Sequence, residues 1–239
     1  MQLGALTDVG RVRKHNEDAV LADPEAGLVM IADGMGGHSH GEVASTEAVS
    51  IISEALKGLE GTDLETTQSA IEQAVSKANE ALYARNSEYG YSDGTGMGTT
   101  VVGAVLDGEQ RAVVFHVGDS RLYLYRDGEL HRVTRDHTLY ESWKENGGRG
   151  AAPKRNVLLR AVGVFDQVDV ETHEQGLQSG DVLVLCSDGL TRMLPDSAIA
   201  GAVQRFLGQG ANAVCEELVR MANERGGKDN ISVALAVID

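Results

Sequence analysis

With 239 residues, of which 42% are hydrophobic and 24% charged, the chain is long enough to form one large domain with a substantial core. Its 36 acidic and 21 basic residues give a formal net charge of −15, which argues against nucleic acid or an anionic membrane as a partner. Without a membrane-length apolar stretch, a secretory signal or more than two cysteines, the sequence predicts a soluble, cytoplasmic protein, and nothing demands more than a monomer.

The first half of the chain combines strand candidates with two helical stripes. Leu28–Ala32 is a continuous apolar run, which is typical of a strand buried on both faces. It leads directly into Asp33-Gly34 and then into a glycine-rich loop. Two stretches with apolar residues at helical spacing follow. In chain order we predict strands at 2–8, 19–23 and 28–32, and helices at 42–59 and 62–87.

The second half begins with β-branched and alternating segments that indicate strands at 99–106, 111–117, 121–125 and 129–133. Asp107-Gly108 and Asp127-Gly128 have the composition of two-residue hairpin turns, so we expect an antiparallel meander. A meander argues against a purely parallel sheet. The remaining predicted elements are strands at 168–174, 181–186 and 230–238, and helices at 196–207 and 211–224.

Residues 137–156 interrupt this pattern. We predict a short helix over 137–146, whereas 147–153 is irregular by composition. The segment is either a surface flap or a linker, and loops of this length inside compact domains are often functional. Its cations are Lys144, Arg149, Lys154 and Arg155.

Four aspartates stand out because turn chemistry does not readily explain them. Asp33 and Asp188 each end an apolar strand, Asp119 follows a strand, and Asp229 precedes the last one. A carboxylate at the edge of a core is costly unless it is paired or bound to a metal. Hard divalent cations prefer carboxylate oxygens, and paired ions can promote displacement at phosphorus. The residues alone leave two interpretations open, a metal site or four separate turn and cap residues.

Six segments resemble, in their order along the chain, the motifs of the metal-dependent protein phosphatases of the PP2C type. They are Thr7-Asp8-Val9-Gly10-Arg11-Val12-Arg13-Lys14-His15-Asn16-Glu17-Asp18, Ala32-Asp33-Gly34-Met35-Gly36-Gly37, Met97-Gly98-Thr99-Thr100, Val117-Gly118-Asp119-Ser120-Arg121, Ser187-Asp188-Gly189-Leu190 and Asp229-Asn230-Ile231-Ser232. The match spans nearly the whole chain, which is similar to a compact bacterial member. The resemblance implies an α+β fold, a four-layer α-β-β-α sandwich with two mainly antiparallel sheets, forming a single domain over residues 1–239.

The resemblance also implies a centre of two Mn²⁺ or Mg²⁺ ions at one edge of the sandwich. Asp33 would bridge the two ions, and Gly34 would offer its backbone carbonyl to one of them. Asp188 and Asp229 would complete the coordination of the other ion. Asp119 would join Asp188 at a third, weaker metal site.

Four further residues receive roles from the same resemblance. Glu17 and Asp18 would hold waters bound to the metals, and Asn230 would orient the neighbouring carboxylates. Arg13 would bind the substrate phosphate, a task that suits its planar and permanently charged guanidinium. Both cysteines would be structural residues.

The function implied by the resemblance is hydrolysis of phosphoserine and phosphothreonine in phosphoproteins by a metal-activated water, in opposition to a bacterial serine/threonine kinase. Two other classes compete with it. A non-catalytic module that binds phosphoproteins would not need the full set of acids. A metal-dependent phosphodiesterase or nuclease is disfavoured by the net charge of −15.

The chain departs from the family pattern at two places. Some relatives carry a histidine, proposed as the general acid, directly after the Asp-Gly pair, and Met35 stands there in this chain. His38 and His40 lie nearby as candidates, and a water is the alternative proton donor. The flap over 139–155 is shorter and more basic than in bacterial relatives, and we hypothesise that it contacts the phosphoprotein and tunes selectivity.

Overall fold

The protein is an α-β-β-α sandwich of two antiparallel sheets between two layers of helices. The computed structural model describes residues 1–36, 40–59, 62–107 and 110–239. The strands are β1 (Gln2–Asp8), β2 (Asp18–Asp23), β3 (Leu28–Met35), β4 (Gly98–Thr99), β5 (Val101–Asp107), β6 (Arg111–Val117), β7 (Arg121–Arg126), β8 (Glu129–Arg132), β9 (Glu171–Gly176), β10 (Val182–Cys186) and β11 (Ile231–Val237). The helices are α1 (His40–Ala55), α2 (Leu64–Glu88), α3 (Leu139–Glu145), α4 (Asp188–Thr191), α5 (Asp196–Phe206) and α6 (Ala211–Glu224).

One sheet has the strand order β1-β11-β10-β7-β8 and the other the order β2-β3-β5-β6-β9, with β4 paired to β3. Every strand pair in the described part of the chain is antiparallel. Antiparallel sheets with helices on their outer faces confirm the predicted fold class.

Three apolar layers hold the sandwich together. The middle layer lies between the sheets, where Val29 and Ile31 of β3 meet side chains such as Leu183 of β10. Met30, on the opposite face of β3, packs under α1 and α2. The apolar run of β3 is therefore buried on both faces, as predicted, because successive side chains of a strand point to opposite sides.

The other outer layer packs α5 and α6 against the sheet that contains β10 and β11. Cys186 and Cys215 are buried in this layer as free thiols. Burial raises the pKa of each thiol to about 12. Neither cysteine is therefore a thiolate at neutral pH.

The predicted four-strand meander is wrong, because its strands belong to different sheets. The β5–β6 hairpin lies in one sheet and the β7–β8 hairpin in the other. Strand patterning identifies each strand but carries no information about which sheet it joins. The chain crosses between the sheets at Gly118-Asp119-Ser120, where Gly118 has a φ of 107°.

One of the two predicted Asp-Gly hairpin turns is confirmed. Asp127 and Gly128 have φ values of 53° and 85° and join paired residues of β7 and β8, as a type I′ turn requires. In the other hairpin Asp107 pairs with Arg111, so three residues separate the paired ends rather than two. Gly108 lies outside the described residues.

The flap contains the predicted short helix, which is α3. Thr138 caps it by accepting a hydrogen bond from the backbone N–H of Glu141 at 3.2 Å. No helix or strand follows until β9, which begins three residues later than predicted. The longest described helix is α2, with 25 residues, and none of the described helices is apolar enough to span a bilayer.

Candidate metal centre

The four aspartates that the sequence singles out meet at one edge of the sandwich. A cavity of about 250 Å³ opens there, and Asp33, Asp119, Asp188 and Asp229 all line it. The other predicted site residues on its wall are Arg13, Glu17, Gly34 and Asn230. We call this cavity the metal cleft. The structure thus brings together all of the predicted site residues except Asp18, which lies behind the cleft wall.

Strand β3 delivers Asp33 to the metal cleft. The backbone N–H of Asp33 donates to Thr100 Oγ1 at 3.1 Å, and its carbonyl accepts from the N–H of Thr100 at 2.9 Å. The sequence predicts that the strand ends at Asp33. In the structure it continues to Met35, because Gly34 and Met35 pair with β4. Thr100 therefore holds Asp33 through both its backbone N–H and its carbonyl.

Gly34 and Gly189 are required because other backbone segments approach them closely. A Cβ atom on Gly34 would lie 2.1 Å from the carbonyl oxygen of Gly41 and 2.4 Å from that of Glu17. A Cβ atom on Gly189 would lie 1.8 Å from the carbonyl oxygen of Asn230. Each Asp-Gly pair at the cleft thus packs its glycine against a backbone segment distant from it along the chain, whereas a Cβ atom on Gly128 of the Asp127-Gly128 hairpin would meet nothing within 4 Å.

Asn230 joins the N-terminal loop to the metal cleft. Its Oδ1 accepts from the backbone N–H of Glu17 at 2.9 Å, and its Nδ2 donates to the carbonyls of Val9 and His15 at 3.0 and 2.9 Å. These contacts fix the loop that carries Arg13. They explain how residues more than 200 positions apart form one wall.

Asp18 is buried behind the cleft, directly opposite Asp33 in the β2–β3 pair. Its Oδ2 accepts from Ser232 Oγ at 2.6 Å. Burial raises the pKa of Asp18 to about 6. Two carboxylates directly opposite each other in a sheet repel, so this pair is unfavourable unless a proton or a cation neutralises it.

The other acids of the cleft are also perturbed by burial and by one another. Burial and then the charge of Asp18 raise the pKa of Asp33 well above its usual range. Burial, followed by the charge of Asp119, raises the pKa of Asp188 to about 7. The pKa of Asp119 is raised by burial and then by Asp136. Clustered carboxylates of this kind are costly without a compensating positive charge.

Two guanidinium groups already provide part of that charge. Arg13 Nη2 lies 2.8 Å from Asp229 Oδ1, and Arg192 contacts both Asp188 and Asp229, the latter at 3.1 Å. No salt bridge reaches Asp33 or Asp119 from the described cations. Oxygen donors alone, in an array that attracts cations, fit hard divalent ions such as Mg²⁺ and Mn²⁺.

Arg192 is not among the site residues that the sequence predicts. It follows Asp188 at i+4, where helical residues meet, but a four-residue helix leaves no periodic apolar stripe to reveal it.

Among the described residues, neither Met35 nor His40 provides a general acid in the metal cleft. Met35 lines it but has no proton to donate. His40 begins α1 and its ring lies 5.8 Å from that of Tyr89. His38 falls outside the described residues. None of the described residues that line the cleft is a histidine.

A histidine pair behind Asp119 was also missed. His137 Nδ1 accepts from the backbone N–H of Gly118 at 3.1 Å, and the N–H of His137 donates to the carbonyl of Gly118 at 2.8 Å. The His137 ring stacks on that of His116, with 4.4 Å between centroids. These contacts clamp the residue that precedes Asp119.

The tautomer of His137 follows from this clamp. Because Nδ1 accepts a hydrogen bond, the proton of the neutral ring is on Nε2, which faces Glu171 Oε2 at 3.1 Å. Burial lowers the pKa of His137, which favours this neutral form. His116, His137 and Glu171 are close enough to bind a metal, but Nε2–H of His137 offers no lone pair. The cluster therefore supports the Asp119 loop.

Comparison with known sequences identifies relatives along almost the whole chain. The model of the protein phosphatase 2C family matches residues 10–236. The serine/threonine phosphatase Stp of Listeria monocytogenes is 38% identical over 247 aligned residues, which cover 98% of this chain and 94% of that protein.

Solved structures give the same result. The serine/threonine phosphatase of S. agalactiae has a TM-score of 0.90 at 30% identity, covering 100% of this chain and 99% of that one. The catalytic domain of the serine/threonine protein phosphatase PstP, in complex with two manganese ions, has a TM-score of 0.87 at 33% identity. That alignment covers 100% of this chain and 98% of the PstP chain.

Proposed function

Because this chain belongs to the protein phosphatase 2C family, we propose how the residues of its metal cleft carry out the reaction of that family. The chain is a protein-serine/threonine phosphatase, and it hydrolyses phosphoserine and phosphothreonine in a metal-dependent reaction. Its cofactors are two ions of Mn²⁺ or Mg²⁺.

We assign the ions to the four aspartates of the cleft. Asp33 and the Gly34 carbonyl would hold the core ions, with Asp33 shared between them, and Asp188 and Asp229 would hold the second ion. Asp119 and Asp188 would together hold a third, more weakly bound ion. Their convergence on one cavity and the raised pKa values of Asp33, Asp119 and Asp188 support this assignment.

When bound, the ions supply an activated water at neutral pH and neutralise charge on the phosphoryl oxygens. Arg13 binds those oxygens through its guanidinium; its position on the cleft wall beside Asp229 supports this role. Glu17 orients waters at the cleft, and Asp18 does so through Asp33, its neighbour in the sheet. Asn230 holds the loop that positions Arg13 and Glu17.

The reaction exchanges one bond to phosphorus for another. The water oxygen bonds to phosphorus while the bond from phosphorus to the serine or threonine oxygen breaks, giving inorganic phosphate and a free hydroxyl. The leaving oxygen needs a proton. Since no histidine is found among the described residues of the cleft, we assign this proton to solvent.

The observation that carries this assignment is the meeting of Asp33, Asp119, Asp188 and Asp229 with Arg13 in one cavity. The test is phosphate release from a phosphothreonine peptide with Mn²⁺, with and without chelator, for the native chain and Asp33→Asn. We expect release that needs Mn²⁺ and is lost in the variant. Full activity of Asp33→Asn, or release in the presence of chelator, would contradict the assignment.

The substrates are phosphorylated proteins, and we propose that a serine/threonine kinase of the same cell produces them. We also propose that the enzyme acts in the cytoplasm as a monomer and that residues 1–239 form one catalytic domain with a flap at 137–156. Light scattering during gel filtration would show a monomer, and dephosphorylation of an autophosphorylated kinase from the same organism would support the pairing.

A further inference from the structure

A second cavity, of about 550 Å³, adjoins the metal cleft. Asp119, Asn156, Asp188 and Arg192 line both cavities, so the two share a wall. Another part of its wall is formed by the flap, including residues of α3. A peptide with its phosphorylated residue in the metal cleft would thus place neighbouring side chains in the second cavity.

The second cavity carries an excess of positive charge. Its cations are Arg121, Arg132, Lys144, Arg155 and Arg192, and its acids are Asp119, Asp136, Glu141 and Asp188. Two of these acids, Asp119 and Asp188, belong to the proposed metal centre, where bound ions would neutralise them. This excess contrasts with the net charge of −15 on the whole chain.

The other two acids of the second cavity, Asp136 and Glu141, are already paired with cations of the same cavity. Asp136 has two partners, because Arg121 binds it with two hydrogen bonds of 2.9 and 2.8 Å and Arg132 contacts it as well. Lys144 is paired with Glu141 at 2.8 Å. These groups account for both other acids of the cavity.

Arg155 has no carboxylate partner among the described residues. Its guanidinium lies over the ring of Tyr140, 4.6 Å from the centroid, and its Nη2 donates to the Tyr140 hydroxyl at 3.2 Å. Stacking and one hydrogen bond leave most of its five N–H groups available. A guanidinium held in this way is suited to binding an oxyanion with two parallel hydrogen bonds.

We propose that the second cavity, here called the flap subsite, binds an anionic side chain of the substrate next to the phosphorylated residue, and that Arg155 selects it. The inference rests on the phosphatase function and names a class of substrate for it. The anionic group is a carboxylate or a second phosphate, since both offer paired oxygens to the guanidinium. The phosphatase therefore favours phosphorylated segments that carry a further negative charge nearby.

Among the four cations of the flap, the structure distinguishes those that reach this cavity. Arg155 and Lys144 line it, whereas Arg149 and Lys154 do not. Lys154 is exposed and adjacent to Arg155, which makes it a matched control. Its removal changes the net charge equally without changing the cavity.

The test compares kcat/KM for phosphothreonine peptides that differ at one flanking position. Glu against Gln tests a carboxylate, and phosphotyrosine against tyrosine tests a phosphate, at each of three positions on either side. Mass spectrometry follows loss of phosphate from threonine alone. We expect the native enzyme to prefer an anionic residue by about tenfold at one position or more, in keeping with a single well-placed ionic contact.

Arg155→Ala should reduce this preference to about twofold or less, since its loss removes the paired donors. Its activity on the neutral peptides and on a small aryl phosphate should not change. Lys154→Ala should keep the full preference. Because Lys is a point charge without the fork, Arg155→Lys should retain only part of it.

Several results would overturn the flap subsite. These are no anionic preference in the native enzyme, an equal loss by Arg155→Ala on neutral and anionic peptides, or the same loss of preference in Lys154→Ala. None of them affects the phosphatase function, because activity on the neutral peptide remains. Absence of Mn²⁺-dependent release from every peptide would instead overturn the proposed reaction, and the flap subsite with it.

Discussion

The metal cleft and the flap subsite share four wall residues but have opposite charge. The cleft gathers acids from strand ends, where Asp33 and Asp188 lie beside glycines that pack against neighbouring backbone. The flap subsite gathers cations, in part from a helix with no fully buried residue. Positions that bind ions need rigid support, whereas positions that read a substrate can lie on an irregular segment. Catalysis and selectivity are thus assigned to different parts of the fold.

The largest effect should come from a shared acid of the cleft. We expect Asp188→Asn to lower kcat/KM by about 10³, because it removes a proposed ligand of the second core ion and of the third site. The same variant should melt at a higher temperature than the native chain in chelator at pH 8, since the pKa of about 7 means that ionised Asp188 opposes folding. Calorimetry and peptide assays measure both effects. Retained activity, or a lower melting temperature, would contradict this account of the cleft.

A smaller loss should follow from removing the support behind Asp119. His137→Leu removes the acceptor of the Gly118 N–H. We therefore expect the proposed third ion to bind 10- to 100-fold more weakly, about the usual cost in metal affinity of losing an outer-shell partner. His137→Asn can place its Oδ1 near the position of Nδ1 and should restore most of the Mn²⁺ response. Titrations of activity with Mn²⁺ give this comparison. Equal defects in both variants would show that His137 acts through packing alone.

The stabilisation by Mn²⁺ should depend on pH. The folded-state pKa values of Asp18 and Asp188, about 6 and 7, lie above their unfolded values, so both acids hold protons at pH 5.5 that the ion must displace. At pH 8 both acids are ionised, so the metal-free protein is less stable towards unfolding than at pH 5.5. Mn²⁺ should therefore raise the melting temperature more at pH 8 than at pH 5.5. The lowered pKa values of His116, His137 and His173 affect the samples with and without Mn²⁺ alike. A rise that is independent of pH, or larger at pH 5.5, would argue against Mn²⁺ binding that requires these two acids to be ionised.

The smallest effect concerns Arg192, on the wall between the two cavities. Its side chain is 42% exposed and pairs with Asp188 and Asp229, so each pair contributes only about 0.2–1 kcal/mol. We expect Arg192→Gln to tighten Mn²⁺ binding by no more than about fivefold, because one competing cation is lost. Calorimetric titration measures this change. Weaker Mn²⁺ binding would mean that Arg192 supports the cleft instead of competing for its acids.

Much of this structure could be predicted from the sequence, because local patterns determine single elements. The buried run of β3, the turn at Asp127-Gly128 and helix α6 over residues 211–224 all follow from period and turn chemistry. The aspartates were found because an acid at the end of an apolar strand needs an explanation.

The remainder depends on contacts between distant segments. Strand patterning could not show that β6 and β7 join different sheets, and so missed the crossover that carries Asp119. The clamp of His137 on Gly118 and the stacking of Arg155 on Tyr140 each join residues at least 15 positions apart, without a periodic signal. Such contacts can be read only once the chain is folded.

The central claim is that Asp33 belongs to a cation-binding cluster, whereas an Asp-Gly pair in a hairpin does not. Calorimetric titration with Mn²⁺ of the native chain, Asp33→Asn and Asp127→Asn tests it directly. Asn is tolerated at the positive φ of Asp127, so the control variant should fold normally. We predict at least two bound ions for the native chain and for Asp127→Asn, and loss of core ion binding in Asp33→Asn. Equal Mn²⁺ binding by all three proteins would contradict the account.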